Sequence, residues 1–176
     1  MKKLILTTLF ACFLTLGMSQ EIKYGVRGAL NVSNLDFDPD ATFENKHRNG
    51  FAFAGFVDFG LSEELALHVE LQWSAEGGKD EDIRADYIQM PIMLKLSVSD
   101  RLSFGAGPQV SLKTWKNNDG FSTFAFSGVV GAEYMITSEI FVDARYSYGL
   151  SNILDEDLTD VEAKNHVMQF GIGIKI

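Results

Sequence analysis

The segment VMQFGIGIKI, residues 167–176, alternates without interruption. Met168, Phe170, Ile172, Ile174 and Ile176 share one face, and Val167, Gln169, Gly171, Gly173 and Lys175 share the other. This is the period of two that a strand imposes on its side chains. One face is wholly apolar and the other is small or polar. The fold is decided by what each face looks at.

The same pattern recurs seven times upstream. IKYGVRGALNV (22–32) sets Ile22, Tyr24, Val26, Leu30 and Val32 against Lys23, Gly25, Arg27, Ala29 and Asn31. FAFAGFVDF (51–59) sets Phe51, Phe53, Val57 and Phe59 against Ala52, Ala54 and Asp58, with Phe56 out of pattern. LALHVELQWS (65–74) pairs an apolar face with one bearing His68, Glu70 and Gln72. YIQMPIMLKL (87–96), LSFGAGPQVSL (102–112), TFAFSGVVGAEYMI (123–136) and IFVDARYSY (140–148) continue the series, so about eight strands are expected, each long enough to cross a bilayer at a tilt.

The connections alternate as well. GLSEE, SVSDR and TSE are tight, whereas SNLDFDPDATFENKHRNG, AEGGKDEDIRAD, the segment around KTWKNNDG and LSNILDEDLTDVEAKNH are long and polar. Short turns at one end and long loops at the other is the layout of an all-β, eight-stranded antiparallel up-and-down transmembrane barrel, with short periplasmic turns and long extracellular loops. Closure of an even number of strands also leaves no edge unpaired, as hydrocarbon requires.

A soluble lipocalin-like carrier would alternate too, with its apolar face inward. The polar face argues against it. Gly25, Ala29, Ala52, Ala54, Ala66, Ser103, Gly105, Gly107, Ser111, Ser127, Gly131, Ser147, Gly171 and Gly173 are too small for a water-facing exterior, which favours Lys, Glu and Thr. A narrow lumen filled by side chains needs such residues. Charges are interleaved among them: Lys23, Arg27, Lys95, Arg145 and Lys175 against Asp58, Glu70, Glu133 and Asp143, with His68 nearby. Near-balance of this kind suits a buried network in which each charge needs a partner. The apolar face carries Tyr24, Phe51, Phe59, Trp73, Phe104, Phe124, Tyr146, Tyr148 and Phe170, many near strand ends where aromatic girdles sit. Pro91 and Pro108 fall inside strands and each removes a ladder donor, so bulges or shorter strands are expected there.

Residues 1–20, MKKLILTTLFACFLTLGMSQ, have the charged, apolar and small-residue layout of a secretory signal, with cleavage expected near Ser19 or Gln20. The domain then runs from 21 to 176. The one cysteine, Cys12, lies in the leader; LFAC (9–12) faintly resembles a lipoprotein box, but the apolar run continues past it and Cys12 reads as a passive residue. Without Lys2 and Lys3 the chain keeps 13 basic and 24 acidic residues, a net charge of −11, which argues against nucleic-acid binding.

KYGVRGALNVSNL, YIQMPIMLKL, GAGPQVSL, VVGAEYMI and ARYSYGLSNI together resemble the small Gram-negative outer-membrane β-barrel family often labelled "porin family protein", over essentially all of the mature chain. That resemblance implies an integral outer-membrane location and a last strand read by the outer-membrane insertion machinery. The signal resembles polar-x-Gly-x-x-aromatic-x-aromatic; Gln169, Gly171, Ile174 and Ile176 occupy its places, with isoleucines at the two aromatic positions.

No enzyme is expected. His68 suits a general base, but no Ser/His/acid set stands at a strand's outer end, and a structural ion-pair network is the simpler reading. DEDLTD (155–160) lacks the glycine of an EF-hand loop and reads, like GGKDEDIRAD (77–86), as a solvated acidic loop; His47 reads as a loop residue. No cofactor or metal is expected. The sequence therefore points to a monomeric barrel with a structural or interaction role in the envelope, contacting outer-membrane lipid, lipopolysaccharide or a loop partner. A narrow channel is the second reading and the lipocalin-like carrier the third.

Overall fold

The computed structural model describes residues 21–39, 46–79, 83–114, 122–154 and 162–176. The leader and DEDLTD lie outside them, as does part of GGKDEDIRAD. Eight strands, β1 (Ile22–Asp38), β2 (Arg48–Gly60), β3 (Leu65–Gly77), β4 (Arg84–Ser97), β5 (Leu102–Lys113), β6 (Phe124–Met135), β7 (Ile140–Gly149) and β8 (Glu162–Lys175), form one closed antiparallel barrel in sequence order. The seam is β8 against β1, from Gly25↔Lys175 to Asp38↔Glu162. Ile176 exchanges main-chain hydrogen bonds of 2.8 and 2.9 Å with Tyr24, which is why the closing residues of VMQFGIGIKI are a strand.

Stepping from partner to partner, Ile22 leads through Phe59, Leu67, Leu94, Ala106, Val130, Tyr146 and Met168 back to β1 at Val32. The path returns ten residues further along the same strand. That stagger tilts the strands, by roughly 35–45° in barrels generally. Every residue on the path belongs to the outer, apolar set.

The inside-out arrangement holds throughout. Val26, Leu30, Phe53, Leu71, Phe126, Phe170 and Ile172 are all at least half exposed on the outside, while Arg27, Asn31, His68, Glu70 and Gln169 are buried within. Trp73, Ile88, Leu112 and Phe124 are successive partners across β3, β4, β5 and β6 and form the upper rim of the apolar band.

The strands are longer than expected at the long-loop end. β1 continues through 33–38, β3 runs to Gly77, and β8 begins at Glu162 rather than 167. Past the apolar band the outward residues turn polar (Asn34, Asp36, Asp86, Lys164, His166), so alternation no longer shows in the sequence, yet inward packing continues. Leu35, Ala85, Tyr87, Ala125, Ile153 and Ala163 make a buried apolar cluster there, with Phe37, Ile83 and Leu154 against it. Burial of that core, rather than contact with hydrocarbon, is what extends the strands.

The two prolines produce neither bulges nor shorter strands. Pairing of β3 with β4 runs to Val69↔Ile92, lapses at Glu70 and Leu71, and resumes at Gln72↔Gln89 in unchanged register. Pairing of β4 with β5 likewise lapses between Pro91↔Gln109 and Leu94↔Ala106. Each proline removes one donor, and the flanking ladder holds the strands in line. Beside the second gap, a side chain at Gly107 would overlap the Ile92 carbonyl oxygen, so the absent Cβ lets the strands stay close. Replacing Pro91 by alanine should therefore give residue 91 an amide protected from hydrogen exchange as strongly as those of Gln89 and Met93. Rapid exchange of that amide would contradict a continuous register.

Candidate functional site

Alternation brings the charged residues of seven strands into the lumen, where the narrow bore forces them into contact. Nearest the short-turn end, Lys175 Nζ lies 2.5 Å from Glu133 Oε1 and 3.0 Å from Asp58 Oδ2, and Lys95 Nζ lies 2.6 Å from Glu133 Oε2 and 3.3 Å from Asp58 Oδ2. His68 joins this square to a second layer. Its Nδ1 is 2.5 Å from Asp58 Oδ1 and its Nε2 is 3.0 Å from Glu70 Oε2. In the second layer Arg145 donates to Glu70 at 2.9 Å, and its Nε lies 2.9 Å from Asp143 Oδ2 as an ion pair. Arg27 clasps Asp143 through two bonds, Nε to Oδ2 at 2.6 Å and Nη2 to Oδ1 at 2.9 Å, the planar fork that guanidinium offers a carboxylate. It also donates to Gln169 at 3.2 Å.

Nine of the ten residues expected in the network are therefore together: Arg27, Asp58, His68, Glu70, Lys95, Glu133, Asp143, Arg145 and Lys175. Lys23 is not. Its side chain is 46% exposed and pairs with Glu21 at 3.2 Å. It has the inward parity, but it stands at the mouth below the last ring of acids, where water rather than protein solvates it. The remaining lysines and arginines, Arg27, Lys95, Arg145 and Lys175, match Asp58, Glu70, Glu133 and Asp143 one for one. Such balance is what keeps buried charges tolerable, because a charge left without its partner costs about 3–5 kcal/mol.

The proposed assembly-signal residues have structural work in the same place. Gln169 accepts from Arg27, and a Cβ on Gly171 would overlap Asp143 Oδ1 and the Arg27 guanidinium. Gly171 is thus the space in which the clasp sits. Ile174 and Ile176 face outward and are exposed.

Sequence reasoning missed the large inward residues. Phe56 and Phe141 are buried and meet edge to face with centroids 5.7 Å apart, and Phe56 also lies 5.1 Å from the His68 ring. Lys175 Nζ stands 5.4 Å from the Phe141 centroid, within reach of a cation–π contact. Gly25 and Gly173 make room for these two rings. The signal was parity: Phe56 has inward parity, and an inner face lined with glycines leaves space for a few large groups. Above the ion pairs, Gln72 donates to Gln89 at 2.6 Å and Asn31 to Ser74 at 2.9 Å. Glu76, in the part of β3 that sequence reads as loop, accepts from Ser74 and Asn165, each at 2.6 Å, and has no cationic partner within 4 Å among the described residues.

Little space is left. Beside Met93, Lys95, Gly105, Glu133 and Arg145 the void is about 10 Å³, room for about one water. A cup of about 520 Å³ opens at the short-turn end, floored by Asp58, Lys95 and Lys175. Larger depressions, of about 740 and 710 Å³, lie outside the barrel between Phe53 and Ile172 over Gly28 and are relief of the apolar surface, not a site of chemistry. Among the described residues no group of three or more His, Cys, Asp or Glu side chains is arranged to hold a metal ion.

A closed antiparallel barrel with an apolar exterior and an ion-paired interior defines a β-barrel of the bacterial outer membrane. The family described as "Outer membrane protein beta-barrel domain" matches residues 18–155, and the chain belongs to it. Among solved structures it is similar to Neisserial surface protein A, at 13% identity and a TM-score of 0.57, covering 90% of this chain and 99% of that one. It is also similar to Ail, the attachment invasion locus protein of Yersinia pestis, in a complex with the heparin analogue sucrose octasulfate. There the identity is 14% and the TM-score 0.53, over 89% of this chain and 99% of that one. At such identities the likeness is one of fold. No curated protein matches the sequence.

Replacing Gly171 by alanine should push Asp143 off Arg27 and lower unfolding stability in denaturant by about 1–3 kcal/mol, the usual range for overpacking. Lys23→Ala should change it by less than about 0.5 kcal/mol, as for other surface positions. Equal effects of the two substitutions would contradict the placement of Lys23 outside the network.

Proposed function

We propose that this protein is a non-conducting, non-enzymatic barrel whose role in the outer membrane is structural or interactive. One observation carries the reading: the lumen is filled twice along its length, first by the ion-paired layers and then by the apolar cluster around Leu35, Tyr87 and Ile153. A solute entering the cup at the short-turn end meets Asp58, Lys95 and Lys175 already bound to one another. With the interior packed, what the protein offers to other molecules is its exterior: an apolar band to lipid, and a long-loop end that the strands carry beyond the band toward lipopolysaccharide or an external partner. Non-enzymatic character is supported by His68, whose two ring nitrogens are both taken up by carboxylates inside a residue with no exposed surface. A general base needs a free nitrogen within reach of substrate. On this reading the insertion machinery receives the chain through β8, where Gln169, Gly171, Ile174 and Ile176 lie.

Reconstitution into planar bilayers tests the proposal. The wild type should show no stepwise conductance, whereas Arg27→Ala combined with Arg145→Ala, which empties the second layer, should leak. Reproducible wild-type steps that scale with salt concentration would replace this reading with the narrow channel.

A further inference from the structure

Among the described residues five acids are buried in the lumen, and four of them belong to the ion-paired layers. The fifth, Glu76, is 2% exposed and stands three residues past Trp73, outside the apolar band. In the register of β3 with β4 it lies opposite Ala85, and its partner Asn165 lies opposite Leu35 of β1. Ala85 and Leu35 both belong to the apolar cluster that fills the long-loop end. The carboxyl reaches across the lumen against that cluster. Asn165 of β8 donates to its Oε2 and Ser74 of β3 to its Oε1, each at 2.6 Å. In the barrel β1 and β2 lie between these two strands, so the carboxyl is a strut that the ladder does not supply.

Its hydrogen-bond partners are neutral. The Ser74 hydroxyl and the amides of Asn165 and Gln89 can each donate or accept. They therefore suit a carboxylic acid as well as a carboxylate, which an ammonium or guanidinium does not. Asn165 Oδ1 is buried without a partner as the amide stands; turned about its last bond, the amide offers that oxygen to the O–H of a neutral Glu76. The charged neighbours do not favour ionisation. On β4, Asp86 adds a like charge beside buried Tyr87. On β2, Arg48 gives its guanidinium to the Glu76 main-chain carbonyl and, at 3.0 Å, to Asp86. Asp36 of β1 and Lys164 and His166 of β8 have outward parity, and His166 lies 3.7 Å from Asp36. Burial, reinforced by Asp86, pushes the Glu76 carboxyl up to about 7 despite its three hydrogen bonds.

We propose that Glu76 is a proton lock on the long-loop end of the barrel. Neutral, it ties β8 to β3 across the lumen and seals the apolar cluster. Ionised, its carboxylate draws water into that cluster, and the upper ends of the strands loosen. The end that carries the long loops is then firm in acid and slack in alkali, a response that goes beyond a filled, non-conducting interior. The sign follows from the raised carboxyl: the stabilisation is fully present below the ordinary glutamate range and is lost as pH rises through about 7.

Hydrogen exchange of the full chain reconstituted in vesicles tests it, on the wild type and on Glu76→Gln, which keeps the shape and all three histidines. After correction for intrinsic exchange, protection of the Ala85 and Ala163 amides in the wild type should fall several-fold between about pH 5 and about pH 8, either side of the Glu76 titration. In Glu76→Gln that fall should be absent, and the amides of Arg145 and Gly171, beside the ion pairs, should show none in either protein. The same pH profile in both proteins would overturn the lock. A second reading needs only the wild type: with glutamate isotope-labelled at its carboxyl carbon, one buried carboxyl should change its resonance between those two pH values. Glutamates all ionised throughout that window would overturn the lock as well. Conductance in planar bilayers would end the non-conducting reading and leave both of these measurements to decide this one.

Discussion

Hydrocarbon offers no hydrogen bonds, and the rest of this structure follows from that. Every main-chain donor and acceptor in the band must be paired within the sheet, so the sheet must close, and closure of eight strands fixes a bore about as wide as two opposed side chains. Glu70, Asp58, Asp143 and Glu133 cannot face lipid, so they face that bore, and there they meet Arg27, Arg145, Lys95, Lys175 and the imidazole of His68. The small inner residues are a consequence of the same bore. Gly171 leaves the space in which Arg27 clasps Asp143; Gly25 and Gly173 leave the space for Phe56 and Phe141.

The network is better understood as a device that specifies the interior than as a large source of stability. Desolvating eight formal charges offsets much of what their pairing returns. What the pairing does is make every alternative arrangement expensive: a register slip of one residue would turn the whole charged face of a strand toward lipid. The ladder gap of β3 against β4 at Pro91 is tolerated for this reason. With His68 and Glu70 on β3 bound to partners on β2 and β7, and Lys95 on β4 bound to β2 and β6, the two strands beside that gap are held in line from the inside.

The barrel was legible in the sequence because a membrane strand writes its two environments into alternate residues, and residues such as Phe170 and Gln169 differ as sharply as their surroundings do. Legibility ended where the outside changed from lipid to water. Beyond Val32 and Met168 both faces become mixed, so the ends of β1 and β8 read as loop although Leu35 and Ala163 are core. Lys23 had the parity of a network residue but not the depth, and parity carries no information on depth. Phe56 was visible only as an exception to the rule of small inner residues, since Gly25, which admits it, stands on another strand.

A double-substitution cycle on Arg27 and Asp143, read by denaturant unfolding of the reconstituted barrel, tests the charge-balanced interior most directly. Arg27→Met and Asp143→Leu should each lower stability by about 3–5 kcal/mol, since each leaves the buried network one charge out of balance, and the double variant should recover most of the loss. Losses that simply add would mean that the two residues do not compensate one another, and that the interior is held by something other than paired charge.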